Sequence, residues 1–380
     1  MKRFLPITCL AVALIAQISA PTAGAAERQG FLETIHKHIT LASTITENGD
    51  ENPYAVVVAP VSAGKIKQGD VLVDNFNNVS NLQGTGTTII DYNPETRTTS
   101  LFANIPANLE QCPGGIGLTT AMTMLKSGWV IVGSTPSKDG TTKTKGQGCL
   151  LVLDPNGQVV ATWTGPTING PWGNMAVIDT GATATLFISM AGFDLPGPDV
   201  RDPETGYPVT LHKATVLRLN LSIPDGKPPV LLNQTVVADG FSGRADRDNF
   251  MFGPTGLALG DNGDLYVTDG MDSLIAVIPD AVNRTDSAGT GRVLTQGGLL
   301  AWPLAMTTTP EGHLLVCNGR NGQVVEVDPK TGKQIYAQWI DSNQAQTPPG
   351  NGDLFGIAMT PDGKGFYYVE DDMNTLMVAK

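Results

Sequence analysis

From about residue 50 to the C-terminus, apolar residues come in short alternating runs, cut by turns rich in Gly, Pro, Asp and Asn. Three successive stretches share one phrase: FGPTGLALGDNGDLYVTDGMDSLIAVIPD, WPLAMTTTPEGHLLVCNGRNGQVVEVDPKTG and LFGIAMTPDGKGFYYVEDDMNTLMVAK. Each has a Pro- or Gly-rich opening, an apolar run, an Asp-Gly or Glu-Gly type turn and a second apolar run. An Asp or Asn follows, then a third run. Alternation of this kind predicts strands, and self-similarity at a period of roughly 40–50 residues predicts the blades of a β-propeller.

Three looser units precede these. The first runs from about Pro53 through GDVLVDNFNN to TTIIDYNPETRTTSLFA, the second from CPGGIGLTTAMTML to GCLLVLDPNGQVVATW, and the third from GPWGNMAVID to VLLNQTVVA. The sixth unit stops after three runs, at Lys380, which would leave a bare edge where a fourth strand belongs. The segment IHKHITLASTIT (Ile35–Thr46) stands before the first unit and alternates like a strand. The expected fold is therefore all-β: a six-bladed propeller whose ring is closed by an N-terminal strand completing the last blade.

The phrase GPTGLALGDNGDLYVTDGMDSLIAVI resembles the six-bladed NHL/SMP-30-type propeller superfamily, which includes YVTN-type repeat proteins. The likeness covers residues 250–380 well and is diffuse before them. It implies a fold shared by lactonases, lyases and pure binding scaffolds, and so no single activity. In SMP-30/gluconolactonase-like enzymes the resemblance implies metal ligands of Asp or Asn type beside a Gly at the start of inner strands. The matching places read Pro254-Thr255-Gly256, Pro171-Trp172-Gly173, Pro113-Gly114-Gly115 and Pro303-Leu304-Ala305, without the acid or amide. Only Asn351-Gly352-Asp353 keeps a ligand-type pair.

Composition narrows the setting. The 380 residues carry a net charge of −12 with only 16% charged side chains, which argues against nucleic acid and anionic membrane surfaces as partners. Residues 1–26 read as a cleaved secretory signal, with Lys2 and Arg3 before the apolar Phe4–Ile18 and small residues after; residues 27–380 read as the propeller. No other run is long enough to span a bilayer, so a periplasmic or secreted monomer is expected. Without Cys9 three cysteines remain; Cys112 and Cys149 fall in one blade and are the expected pair, with Cys317 a buried small hydrophobe.

A propeller gathers on one face the loops leading into each inner strand and those joining second to third strands. The long segments Gly133–Gly148, Gly192–Pro208, Asp239–Pro254 and Asp341–Gly356 all belong there, and loop elaboration on a rigid scaffold is where function sits. The insert Gly192–Pro208 is placed to lie across the channel mouth. Asp74, Asp269, Asn318 and Asp371 follow second strands, where such residues either cap their own turns or face the channel. Asp269, Asn318, Asp353 and Asp371 are the candidate oxygen ligands for Ca²⁺ or Mg²⁺. Asp74, Trp172, Arg244, Arg247 and Trp302 are candidate ligand-binding residues: guanidiniums clamp anions and indoles stack on rings. Arg244 and Arg247 have Asp246 and Asp248 as alternative partners, and the two tryptophans have inter-blade packing. Among the histidines only His212 reaches the site as a general base.

The leading reading is an exported scaffold that binds a small molecule or protein partner on this face. The alternative is a metal-dependent lactonase-like hydrolase or lyase. Convergent carboxylates favour the enzyme; carboxylates turned back on their own loops favour the scaffold.

Overall fold

A computed structural model describes residues 30–192 and 194–380, so the leader-like segment lies outside the described residues. Six antiparallel sheets stand in a ring, with no α-helix among the described residues. The first blade holds Glu51–Val58, Val71–Asn77, Thr88–Asn93 and Thr98–Asn104; the second, Leu118–Met124, Val130–Ser134, Cys149–Leu153 and Val159–Trp163. The fourth holds Pro254–Leu259, Leu265–Asp269, Leu274–Ile278 and Arg292–Gln296; the fifth, Pro303–Thr308, Leu314–Asn318, Gln323–Val327 and Gln334–Trp339. In the sixth, Leu354–Met359, Phe366–Glu370 and Thr375–Ala379 are completed by His38–Ser43, which pairs antiparallel with Thr375–Ala379. The ring closes with the N-terminal strand, as the three-run final unit required.

The third blade is elaborated. Ala176–Asp179 and Thr183–Met190 are followed by Thr210–Ser222 and the long Val230–Ala245, which carry several register shifts. Where the sequence reads as a long loop before Pro254, Arg244–Ala245 pairs with a fifth strand, Met251–Phe252. Residues 246–250 are thus the tip of a hairpin, its turn set by Asp246 Oδ1 accepting the amides of Asp248 and Asn249 at 2.9 Å each.

The glycines of the repeat phrase explain how the blades meet. A Cβ on Gly256 would stand 2.3 Å from Leu304 O, one on Gly173 1.6 Å from Thr255 O, and one on Gly356 2.3 Å from Tyr54 O. At these three junctions the inner strand approaches the next so closely that only glycine fits. Hydroxyls stitch the same junctions. Ser189 Oγ accepts the Gly173 amide and donates to Thr255 O, both at 3.0 Å; Thr268 Oγ1 accepts the Gly256 amide at 2.6 Å and donates to Leu304 O at 2.7 Å. The Cys112–Cys149 disulfide forms, with Cα atoms 5.3 Å apart, and Cys317 is fully buried.

Candidate functional site

The channel mouth is filled rather than open. Tyr54 stacks on Phe355 at 4.0 Å and on Phe76 at 4.5 Å between centroids, and Trp172 meets Tyr54, Phe76 and Phe250 at 5.8, 5.5 and 6.0 Å. Rings from the first, third and sixth blades so form one cap, in the offset and edge-to-face geometries aromatic quadrupoles favour. Leu195 of the long insert packs into the same cluster. Phe250 takes a left-handed φ of 62° to join it, a conformation that costs a bulky residue about 1–3 kcal/mol. Within the channel, Asn174 Nδ2 donates to Leu257 O at 2.9 Å and Met306 O at 3.0 Å, while its Oδ1 accepts the Met306 amide at 3.0 Å. One side chain thereby ties three inner strands together. The void left beside the cap is about 10 Å³, room for no more than a water.

Beside the cap, and sharing Tyr54 and Phe355 with it, opens a polar cleft of about 310 Å³. Its walls bring together both predicted sets of loops: Glu51 and Asn52, Gln83, Asp248 and Asn249, Gln346 and Asp353, Asp371 and Asp372. Gln83 Nε2 donates to Asp248 O at 2.6 Å, joining the first blade to the hairpin of the third. No described Lys or Arg forms an ion pair with a carboxylate of the cleft. Burial, and then the charges of Asp372 and Glu51, raise Asp371 to about 8. Burial, and then Asp341 and Asp372, raise Glu370 behind it to about 7. Asp353 is pushed far above the carboxylate range by burial and by its contact with the Asp341 carboxyl. Carboxyls that keep a proton near neutrality in a cleft are the raw material of acid–base chemistry and of cation binding.

The candidates read from sequence divide sharply. Asp353 and Asp371 face the cleft, and the Asp371 amide donates to Asp353 O at 2.9 Å. Asp269 and Asn318 do not line it. Asp269 Oδ1 accepts the amides of Met271 and Asp272, and Asn318 bonds Ala301 N at 3.0 Å and Leu299 O at 2.9 Å. The four do not gather into one ligand set, and the channel they would have surrounded is occupied by rings; a central Ca²⁺ or Mg²⁺ does not fit. Strand register supplies the reason. Asp269 pairs with Pro254 and Asn318 with Pro303, but the residue pairing with Leu354 is Glu370 and that pairing with Pro53 is Asn75. Asp371 and Asp74 are each one residue out of step, so their side chains leave the strand on the other side.

Asp74 precedes Asn75 as Ser189 precedes Met190 and Thr268 precedes Asp269, so it takes the place of a stitching hydroxyl. Its Oδ1 accepts the Ala55 amide at 2.8 Å, its Oδ2 is buried without a partner, and burial raises it to about 8. Held as the acid, it can donate as the hydroxyls do. Asp74 thus belongs to the blade junction and not to a ligand.

Trp172 is 3% exposed and serves the cap, so it offers no face to a ligand. Trp302 is partly exposed, 4.7 Å from Phe252 and 4.6 Å from the Arg320 guanidinium, while Arg244 lies 5.5 Å over Phe252. Arg247 pairs with Asp199 of the insert, not with its neighbours Asp246 and Asp248. His212 stands on the third blade, its Nδ1 3.3 Å from Ser242 Oγ, and does not line the cleft. Sequence reasoning missed Asn174, Tyr54, Phe355, Asp341 and Glu370. The repeat alignment signals only the last, through its register with Asp269.

No family profile matches the chain, and no curated protein does. Solved structures do. A gluconolactonase of Xanthomonas campestris is 14% identical, with 90% of this chain and 88% of that one covered and a TM-score of 0.52. The PQQ-bound aldose sugar dehydrogenase of Streptomyces coelicolor is 16% identical, covering 90% and 98%, with a TM-score of 0.53. A luciferin-regenerating enzyme is 11% identical, covering 89% and 94%, with a TM-score of 0.53. At these identities the likeness is one of fold: a six-bladed β-propeller.

Proposed function

We propose that the chain hydrolyses small cyclic esters of the sugar-lactone kind in the acidic cleft. The observation that carries this reading is the pairing of Asp353 and Asp371 in one cleft of about 310 Å³, both with raised carboxyl pKa values. A protonated carboxyl in such a place donates to the ring oxygen as it leaves, and an ionised neighbour takes a proton from the water attacking the carbonyl. Asn52, Gln83 and Asn249 suit a substrate rich in hydroxyls, and Tyr54 with Phe355 gives it an apolar floor. The names of two solved structures on this fold, a gluconolactonase and an aldose sugar dehydrogenase, support the same substrate class by analogy. No step runs through a metal held by the four-residue set. The leader-like N-terminus and the Cys112–Cys149 bridge support export as the setting.

The test is a pH-stat assay of the purified chain against a panel of aldonolactones, with Asp371→Asn alongside. Hydrolysis that falls about 100-fold or more in the variant is the expected result, in keeping with the loss of a proton-transfer group. A chain that hydrolyses none of the panel defeats the reading. Binding without turnover selects the non-catalytic scaffold instead, which the self-capped Asp269 and Asn318 favour.

A further inference from the structure

Behind the cleft wall, where the fifth blade passes to the sixth, four carboxyl groups meet, and among the described residues no Lys or Arg forms an ion pair with them. Ligand-type oxygens of Asp341, Glu370 and Asp372 all lie within 4.8 Å of one another, and the Asp353 carboxyl touches that of Asp341. Asp341 is 6% exposed and Asp353 3%. Each keeps one oxygen, Oδ2, buried without a hydrogen-bond partner. A third orphan stands with them: Gln346 Nε2 donates to Asp353 Oδ1 at 2.6 Å, and Gln346 Oε1 is buried and unpartnered. Buried acceptors with no donor cost about 1–3 kcal/mol each, and like charges at such range repel. A proton shared between two of the carboxyls eases one contact. A cation answers all of them at once.

We infer that Asp341, Asp353, Glu370 and Asp372, with the Gln346 carbonyl, bind one divalent cation, and that the ion is Ca²⁺. The donor set is oxygen throughout, which excludes the nitrogen and sulfur preferences of zinc and copper. Four carboxylates exceed what Mg²⁺ takes from protein, whereas Ca²⁺ accepts six to eight oxygens in flexible geometry. Asp353, Asp372 and Gln346 also line the cleft, so the ion would fix one of its walls. The site shares Asp353 with the proposed hydrolase: a bound ion would hold that carboxyl ionised and leave Asp371 as the group that keeps a proton.

Calorimetric titration of Ca²⁺ into the chelator-treated full chain tests it, with thermal melting measured with and without the ion. One Ca²⁺ per chain is expected, with affinity lowered roughly ten-fold or more in Asp353→Asn and Glu370→Gln and unchanged in Asp74→Asn. Without calcium, Asp353→Asn should melt above the wild type, since it relieves repulsion; with calcium the order should reverse. A folded wild type that binds no Ca²⁺, or binding that both variants leave intact, overturns the site. Lactone hydrolysis that persists without Ca²⁺ binding counts against the site alone, and Ca²⁺ binding without hydrolysis against the proposed activity alone.

Discussion

The channel mouth and the cleft share Tyr54 and Phe355 and differ in what surrounds them. In the channel, Tyr54 and Phe355 look onto Phe76, Trp172 and Phe250, and Ser189, Thr268 and Asn174 find partners across the blade junctions. Asp74 takes the place of such a hydroxyl and keeps its Oδ2 without a partner. In the cleft the same two rings floor a space walled by carboxyls and amides, with Asn52 Oδ1, Gln83 Oε1, Gln346 Oε1 and Asp353 Oδ2 left unpartnered. The first region is filled and ties blades together; the second is open, and its leftover oxygens are what the proposed ligand would meet.

The largest effect that separates the two is on stability. Trp172→Ala removes the ring that touches three others in the cap and should cost about 3–5 kcal/mol, read from urea denaturation. A loss below about 1 kcal/mol would mean that the cap does not hold the blades together. The smaller effect is a pH slope. Asp74 keeps its proton to about 8 when folded and loses it near 4 when unfolded. Between those values the native state binds the extra proton, so the stabilisation is complete below about pH 4 and is lost as pH rises through 8. Wild-type stability should therefore fall from about pH 5 to 8, and Asp74→Asn should flatten that fall. An unchanged slope in the variant would place the titrating group elsewhere.

The ring was legible in the chain because its evidence is periodic. The repeated turns, the three-run final unit and the spare strand at Ile35–Thr46 each mark the backbone directly, and the bridge followed from two cysteines in one blade. The site was legible only in part, because it depends on which way side chains leave the strands. Asp269, Asn318 and Asp371 look alike in sequence, each an acid or amide after a second strand. One step of register sends Asp371 into the cleft while the others cap their own turns. Asp341 reads as an ordinary loop residue until folding brings it beside Asp353 and Glu370, a pairing with no local signature. Trp172 looked like a ligand platform because nothing in GPWGNM reveals that Phe76 and Tyr54 arrive from another blade to cover it.

The central claim is that ligand binds in the cleft and not on the axis. Calorimetric titration of a sugar lactam, the non-hydrolysable analogue of the lactone, tests it on the wild type, Asp371→Asn and Asp74→Asn. Binding that is lost in Asp371→Asn and retained in Asp74→Asn is the predicted result. Binding that survives in Asp371→Asn but disappears in Asp74→Asn would return the site to the channel and contradict the account.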